Sequence, residues 1–234
     1  MSLANVDALL ALPWRERCTA ILAHVLDGEI EARELASIVH GALDFAPPLV
    51  PLPDGTFALE LFHGPTLAFK DYGARFLAAV LARQRDAKQR TVLTATSGDT
   101  GAAVAAAFWK RPNVRVVVLF PRGRISELQE RQLATLGHNV TALAVDGAFD
   151  DCQALVKTCF ADAELVQRHG LVSANSINIA RLVAQILYYA EALAALRSRG
   201  IAEPPVIAVP SGNFGNLCAG LYAQALGFLS LIHI

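Results

Sequence analysis

From residue 66 onward, segments with helical periodicity alternate with short runs of aliphatic and β-branched residues. Helices are predicted at Thr66–Arg85, Thr100–Lys110, Ser126–Leu136, Asp150–Ala161, Ile177–Ser198 and Asn216–Leu226. Ser126 and Gln129 have the spacing of a capping box at the start of the third of these helices. Strands are predicted between them at Thr91–Ala95, Val114–Phe120, Val140–Val145 and Val206–Val209. A parallel neighbouring strand can be reached only through a crossover connection, so strands that alternate with helices indicate βαβ units. The sequence therefore predicts an α/β fold with a mainly parallel sheet.

The sequence before residue 66 has a different pattern. Residues 3–45 carry two helical stripes of apolar side chains, and Pro53-Asp54-Gly55 is a turn signal between two short strand-like runs, Leu49–Leu52 and Thr56–Phe62. The change of pattern near residue 66 predicts a small open parallel α/β domain from about residue 75 to residue 170, in which Val92–Ala95, Val116–Leu119 and Thr141–Val145 are adjacent strands. The hairpin and the strand Val206–Val209 are expected to belong to a second body.

Composition excludes several classes of protein. Apolar residues make up 54% of the chain and the formal net charge is -1, which argues against a disordered chain and against a nucleic-acid binder with a basic face. Ile177–Leu196 carries Arg181, Gln185 and Glu191, so a buried helix is expected there and not a membrane span. No basic segment precedes the first apolar run, and the four cysteines are scattered. We expect a cytoplasmic protein with reduced thiols and no zinc site.

The first candidate site is a lysine at a predicted helix start, in the segment His63-Gly64-Pro65-Thr66-Leu67-Ala68-Phe69-Lys70-Asp71. Most lysines at such positions are solvated surface residues. Here the residues before Lys70 are apolar, and apolar surroundings disfavour the ammonium form. An amine nucleophile or a Schiff-base lysine needs that property.

Two loops that lead from a strand into a helix are candidate anion sites. Thr94–Gly101 offers hydroxyls and backbone N–H groups at a helix start, although Ser97, Asp99 or Thr100 could simply be an N-cap. Val209–Asn216 contains two glycines and two asparagines, so its N–H groups could converge on a phosphate, although a glycine turn without a ligand is the default reading. Together with the lysine, these loops point to a phosphorylated cofactor that carries an aldehyde. Pyridoxal phosphate fits that description.

These segments resemble the threonine synthase family of fold-type-II pyridoxal-phosphate enzymes. His63–Asp71 is similar to the family's lysine motif, Thr94–Gly101 to its second motif, and Pro210–Asn216 to its cofactor-phosphate loop. Ser173–Asn178 together with Arg181 is similar to a further motif. The resemblance runs from about residue 3 to about residue 227.

The resemblance implies a fold, a reaction and a set of site residues. The fold is a small open parallel α/β domain plus an incomplete second α/β domain for the cofactor, with an N-terminal helical segment. In that architecture residues 1–74 are part of the large domain, residues 75–172 form the small domain, and residues 173–234 start the large cofactor domain. The reaction converts O-phospho-L-homoserine and water to L-threonine and phosphate. Lys70 forms the Schiff base with pyridoxal phosphate and moves protons, and Asp99 lies near the ring hydroxyl. The cofactor phosphate is held by Gly212, Asn213, Phe214, Gly215 and Asn216. Candidate substrate contacts are Ser97, Thr100, Asn175, Ser176, Asn178 and Arg181. The alternative for Arg181 is a salt bridge on the surface.

The chain also departs from the family pattern. Family members are longer at the carboxyl end and carry a Ser-Thr-Arg-Gly-type motif near the start, whereas Phe228–Ile234 does not resemble them. An incomplete copy of the enzyme is therefore expected. The alternatives are another fold-type-II enzyme, such as a serine/threonine dehydratase or a phosphohomoserine phospho-lyase, or an inactive folded fragment. No nucleic acid or membrane partner is expected, and the oligomeric state stays open.

Overall fold

The computed structural model describes residues 3–83, 88–176, 178–210, 212–228 and 231–233. Arg85, Ile177 and Ser211, which belong to predicted segments, lie outside these residues. The chain divides into two compact units. We call Gly64–Asn178 the sheet unit, and Met1–His63 together with Ile179–Ile234 the helical unit.

Three helices and a hairpin begin the helical unit, where the sequence predicts a helical segment with two apolar stripes and a hairpin. The helices are α1 (Leu3–Leu10), α2 (Trp14–Leu26) and α3 (Ala32–Ala42). The strands β1 (Leu49–Pro51) and β2 (Phe57–Leu59) pair in antiparallel register on either side of the Pro53–Gly55 turn. Arg17 ties this region together, because its guanidinium donates to the backbone oxygens of Leu10 and Leu12 and forms an ion pair with Glu191.

The sheet unit contains the predicted βαβ succession and two elements that were not predicted. Its elements in chain order are α4 (Lys70–Leu81), β3 (Arg90–Ala95), α5 (Asp99–Phe108), β4 (Val114–Pro121), α6 (Glu127–Ala134), β5 (Val140–Val145), α7 (Phe149–Ala161), α8 (Ala163–His169) and β6 (Leu171–Ser173). The strand order is β5-β4-β3-β6 and every pair is parallel. The prediction that β3, β4 and β5 are parallel neighbours is confirmed. The short elements α8 and β6 lack enough residues to show a clear period.

Helix α4 starts four residues later than predicted, at Lys70 and not at Thr66. Leu67 has a positive φ of 59°, which a continuous right-handed helix does not allow. The predicted capping box at the start of α6 is confirmed, since Ser126 and Gln129 exchange side chain to backbone hydrogen bonds.

The limits of the sheet unit differ from the predicted residues 75–172 for reasons of local bonding. At the amino end, Thr66 is hydrogen-bonded to Asp71, which joins the loop before α4 to the helix. At the carboxyl end, Asn175 and Asn178 bond back to β3 and β6. The lysine motif therefore lies in the same compact unit as the parallel sheet.

The rest of the helical unit consists of α9 (Ile179–Ser198), β7 (Val206–Ala208), α10 (Gly215–Ala225) and β8 (Leu231–His233). Helix α9 packs against α1, α2 and α10. In the described part of the chain it is the one helix long and apolar enough to cross a membrane, and 72% of its apolar window is buried inside the structure, as in a core helix. Strand β8 was not predicted, and it pairs in parallel with β7.

Candidate functional site

The loop in front of Lys70 is held by the carboxylate of Asp71. Its Oδ2 accepts from the backbone N–H of Thr66 at 2.9 Å, and its Oδ1 accepts from the Thr66 hydroxyl at 2.7 Å. The same carboxylate lies against Gly64, where any Cβ would collide with it. These contacts close a compact turn, so the backbone that carries Lys70 is fixed on both sides.

Burial raises the pKa of the Asp71 carboxyl, and the hydrogen bonds from Thr66 partly offset that shift. Asp71 is 1% exposed, so its charge is stabilised by donors of the loop and not by water. The carboxylate is therefore a structural anchor of the lysine motif, a role that the sequence did not reveal.

Lys70 itself is the first residue of α4 and is half-buried. Its Nζ lies 4.0 Å from the centre of the Phe69 ring, within the range of a cation–π contact. The apolar neighbour expected from the sequence is therefore present beside the amine.

The loop after β3 is organised by Thr96, which is buried. Its Oγ1 accepts from the backbone N–H groups of Gly98 and Gly101, at 2.9 and 2.8 Å. Gly98 has a φ of 139°, which side chains rarely allow, and a Cβ on Gly101 would lie 2.5 Å from Cγ2 of Thr96. The N-cap residue of α5 is Gly98, so the alternative in which Ser97, Asp99 or Thr100 acts as the N-cap is wrong, and the Thr96 hydroxyl accepts from the first turn instead. Ser97 and Asp99 are exposed and Thr100 is half-buried.

Asp99 is tied to the next helix of the unit. Its Oδ1 accepts from Nε2 of Gln129 at 2.7 Å, and Oε1 of Gln129 accepts from the backbone N–H of Ser126 at 3.0 Å. Gln129 thus links the capping box of α6 to the loop after β3. The capping box was visible in the sequence, but its contact with Asp99, across 30 residues of chain, was not.

The loop after β6 meets the end of β3. In Asn175, Nδ2 donates to the carbonyl of Ala95 at 3.0 Å and Oδ1 accepts from the Thr94 hydroxyl at 3.1 Å. Nδ2 of Asn178 donates to the carbonyl of Ser173 at 2.8 Å. Both amides therefore hold the backbone of the turn, which limits what they can offer a ligand, while Ser176 is exposed.

Strand order indicates which edge of the sheet is suited to a ligand. From β3 the chain moves through β4 to β5, and then returns to the opposite side of β3 to form β6. Ligands of open parallel sheets bind at the carboxyl ends of strands where the direction of winding reverses. That point lies between β3 and β6, where the loops with Ser97, Asp99, Thr100 and Ser176 emerge.

The glycine loop of the helical unit leads into the start of α10 through a left-handed residue. Phe214 has a φ of 51° and a ψ of 0°, and the helix begins at Gly215. A left-handed residue followed by a right-handed one turns successive N–H groups toward one point, and no side chain caps this helix. Gly212, Asn213 and Phe214 are exposed, and a Cβ on Gly212 would meet nothing within 4 Å. The donor set fits a phosphate group.

Two tyrosines of α9 hold Asn216 from behind this loop. The Tyr188 hydroxyl donates to Oδ1 of Asn216 at 2.5 Å, and the Tyr189 hydroxyl lies 2.7 Å from its backbone oxygen and 3.0 Å from Oδ1. Burial raises the pKa of Tyr189, which keeps its hydroxyl protonated and able to donate. Neither tyrosine was singled out in the sequence.

Arg181 lies in the first turn of α9 and is 2% exposed. The alternative of a surface salt bridge is therefore wrong. Burial lowers the pKa of its guanidinium to about 10, so the group still carries its charge near neutral pH. A buried cation of this kind is suited to an anionic ligand.

The sheet unit contains Lys70, Asp99, Ser97, Thr100, Asn175, Ser176 and Asn178. The helical unit contains Arg181 and the residues Gly212, Asn213, Phe214, Gly215 and Asn216. That the lysine and the glycine loop meet in one pocket stays a prediction.

Comparison with known proteins adds evidence of another kind. The family model described as "Pyridoxal-phosphate dependent enzyme" matches residues 46–226. The threonine synthase of Haemophilus influenzae is 53% identical over 96% of this chain, and that of Escherichia coli is 52% identical over 97%. The chain spans about half the length of these relatives, 53% in both cases.

Solved structures agree with this similarity. The crystal structure of Escherichia coli threonine synthase matches with a TM-score of 0.93 at 51% identity, covering 99% of this chain and 54% of that one. A structure of Brucella melitensis threonine synthase with bound pyridoxal phosphate matches with a TM-score of 0.86 at 38% identity, covering 98% and 51%. Maize serine racemase, at 18% identity and a TM-score of 0.61 over 86% of this chain and 59% of that one, shares the fold alone.

Proposed function

This chain belongs to the family of pyridoxal-phosphate-dependent enzymes, and on that premise we propose that it carries part of a threonine synthase, the enzyme that converts O-phospho-L-homoserine and water to L-threonine and phosphate. The observation that carries the proposal is 51–53% identity to threonine synthases over nearly the whole chain, with the fold in common. Since the relatives are about twice as long, the complete reaction is proposed for the chain together with the remaining part of such a protein.

Pyridoxal phosphate is proposed as the cofactor because one feature of the chain fits its aldehyde and another fits its phosphate. The amine of Lys70, beside Phe69, suits an aldehyde, and the uncapped start of α10 suits a phosphate. When bound, the cofactor supplies an electron sink that stabilises negative charge on substrate carbon atoms. Asp99, oriented by Gln129, is proposed to lie near the ring hydroxyl.

The proposed roles of the other residues follow from their surroundings. Lys70 moves protons at Cα and Cβ of the substrate. Phosphate leaves from Cγ with the electron pair of the C–O bond, Cγ takes up a proton to become a methyl group, and water adds its hydroxyl at Cβ while Cα regains a proton. Arg181 is the strongest candidate for an anionic group of the substrate, because it is a buried cation. The exposed or half-buried hydroxyls of Ser97, Thr100 and Ser176 are proposed substrate contacts, whereas Asn175 and Asn178 shape the crevice through their backbone hydrogen bonds.

Some expectations about the complete protein are proposals as well. In it, the helical unit is proposed to be part of the large cofactor domain and the sheet unit to be the small domain. A cytoplasmic location is proposed because all four cysteines are free thiols. A serine/threonine dehydratase or a phospho-lyase that acts on the same substrate is the second candidate, because either would use the same lysine and phosphate loop.

The test is product analysis with variants of Lys70. The chain is produced alone and as a hybrid continued by the remaining part of the Escherichia coli relative, and each is given pyridoxal phosphate and O-phospho-L-homoserine. We expect the hybrid to release phosphate and threonine in equal amounts. Lys70→Ala and Lys70→Arg should lose both products and the visible absorption of the lysine-bound cofactor, since a guanidinium cannot replace the amine. The exposed Lys157→Ala is the matched control.

Three results would contradict this proposal. Turnover that persists in a Lys70 variant would assign the chemistry to another residue. A 2-oxo acid plus ammonia in place of threonine would favour the dehydratase. A hybrid that folds without taking up the cofactor would favour the third alternative, in which the chain is a folded but inactive fragment.

A further inference from the structure

We propose that Tyr188 and Tyr189 are positioning residues that fix the side-chain amide of Asn216, so that its Nδ2 donors and not its Oδ1 are available to an anion at the start of α10. The inference rests on the proposed function, because it takes the anion to be the cofactor phosphate. It adds that two hydroxyls on α9, outside the glycine loop, help to determine how the phosphate is recognised.

The distances settle which atom of the amide faces the tyrosines. The Tyr188 hydroxyl lies 2.5 Å from the amide atom assigned as Oδ1. That separation lies in the range of an O–H···O bond and below the range of an N–H···O bond, so the atom is the oxygen. Gln185 does not compete for this proton, because its Oε1 is 3.5 Å away.

Tyr189 strengthens the same orientation. Its hydroxyl is 2.7 Å from the backbone oxygen of Asn216 and 3.0 Å from Oδ1, and its single proton can be shared between these two acceptors. A carbonyl oxygen cannot donate, so Tyr189 must act as the donor. Both hydroxyls lie within hydrogen-bond distance of Oδ1, and a flipped amide would replace the 2.5 Å O–H···O bond from Tyr188 by a contact too short for an N–H···O bond.

The tyrosines cannot move away easily. Tyr188 is 1% exposed and Tyr189 is 3% exposed, and their ring centres are 5.2 Å apart in a tilted contact. Helix α9, which carries them, packs directly on α10. Hydroxyls held by buried rings in this way preorganise their acceptor before a ligand arrives.

The consequence lies on the other side of the amide. Nδ2 shares its carbon with Oδ1 and therefore points away from the two hydroxyls. Among the described residues the side-chain hydrogen bonds of Asn216 are made by Oδ1, and Asn216 follows directly after the Phe214–Gly215 turn. An amide in this orientation adds donors to those of the backbone, whereas the opposite orientation would present a partly negative oxygen to a phosphate.

The experiment compares two ligands that differ only in the phosphate. Tyr188→Phe, Tyr189→Phe and the double variant keep the rings and remove the hydroxyls. Tyr222→Phe, on the exposed side of α10, is the matched control. Dissociation constants for pyridoxal phosphate and for pyridoxal are measured by absorbance titration of the chain and of the hybrid described above. The melting temperature of each variant is measured to check that it is folded.

We expect the double variant to bind pyridoxal phosphate about tenfold more weakly, with pyridoxal affinity changed less than about twofold. Tyr222→Phe should change neither. General damage to the fold would weaken both ligands together, so the ratio of the two constants isolates the phosphate. If the variants bind pyridoxal phosphate as the wild type does, or weaken both ligands equally, the inference is overturned while the proposed function stands.

A second measurement does not depend on the cofactor. Inorganic phosphate is titrated into the chain while the side-chain amide signal of Asn216 is followed by NMR. We expect a saturable shift in the wild type and in Tyr222→Phe, and no shift in the double variant. A wild-type hybrid that takes up no pyridoxal phosphate would contradict the proposed function, and an Asn216 signal that does not shift with phosphate would contradict the inference.

Discussion

Asp71 uses both oxygens of a buried carboxylate to hold the loop in front of Lys70. A buried charge of this kind is tolerated because donors of the loop replace water. Gln129 orients Asp99 in the loop after β3, and the tyrosine pair Tyr188 and Tyr189 orients Asn216 at the glycine loop. At the residue scale, each candidate ligand-binding loop is therefore fixed by a side chain whose role is to position it.

Thr66→Val tests the first of these anchors. The change removes the hydroxyl that donates to Asp71, so the pKa of Asp71, already raised by burial, should rise further. The unfolding free energy should fall by about 1–3 kcal/mol, the usual cost of a lost hydrogen bond to a buried charged group.

The pH dependence of stability follows from the same shift. The folded pKa of Asp71 lies above the value of 3.8 for an unperturbed carboxyl, so the folded state holds this proton more tightly than the unfolded state. The contribution of Asp71 to stability therefore decreases as the pH rises from 3.8 through the folded pKa, and Thr66→Val should widen that window. Carboxyl NMR titration and urea unfolding measure both effects. Thr158→Val, at an exposed helical threonine, is the control, and an unchanged pKa of Asp71 would count against the anchor.

At the scale of elements, β6 depends on the loop that follows it. The strand has three residues, and it pairs with β3 over Thr91–Leu93. Beyond the last strand pair, the Asn175 amide contacts Thr94 and Ala95 and so continues the pairing of the two strands with a side chain. This arrangement compensates for the shortness of β6.

Asn175→Ala should therefore loosen β6 more than it affects the rest of the sheet. We expect a loss of about 1–3 kcal/mol in unfolding free energy, because buried polar groups at the end of β3 lose their partner. Hydrogen exchange should accelerate at Val172 and Ser173 and stay slow in β4. Ser176→Ala, one residue further along and exposed, should have no such effect. Equal behaviour of the two variants would show that the amide does not hold the strand.

Over the whole molecule, the described surface of the helical unit retains large apolar side chains. Val206, Phe214, Leu221 and Tyr222 are 49–61% exposed. If the chain is an incomplete copy, the sequence predicts an exposed apolar face at Ile207 and Val209 of the strand and at Leu217, Leu221 and Leu226 of the last helix, beside a bare strand edge. Leu221 is exposed, but Val209 and Leu217 are buried at 5% and 9%, so that part of the prediction is wrong. Strand β8 pairs with one edge of β7, which was expected to be bare.

We expect this surface to make the chain self-associate when it is produced alone, because exposed apolar side chains favour association in water. The double variant Leu221→Gln, Tyr222→Gln should lower the scattering mass measured across a concentration series, with little change in melting temperature. Leu155→Gln, at an exposed leucine of the sheet unit, is the control. A wild type that stays monodisperse at high concentration would contradict the expectation.

Local patterns in the sequence predicted most of the elements and the chemistry of the motifs. The periods of the helices and strands gave the parallel order of β3, β4 and β5, and the Ser126–Gln129 spacing gave the capping box. Lys70, the loop after β3 and the glycine loop could be recognised because their residue types lie close together in the chain. Each of these features depends on interactions within a few residues, which a linear pattern records.

The tertiary structure alone decided which side chains position the candidate site. Gln129 reaches Asp99 across 30 residues, Asn175 reaches Thr94 across 81, and Tyr188 reaches Asn216 across 28. It also decided that Arg181 is buried and that Asn175 and Asn178 bond to backbone. No local period encodes these partners, because they are set by strand order and by the packing of α9 on α10. Short elements such as β6 and β8 likewise form only when an existing strand offers its edge.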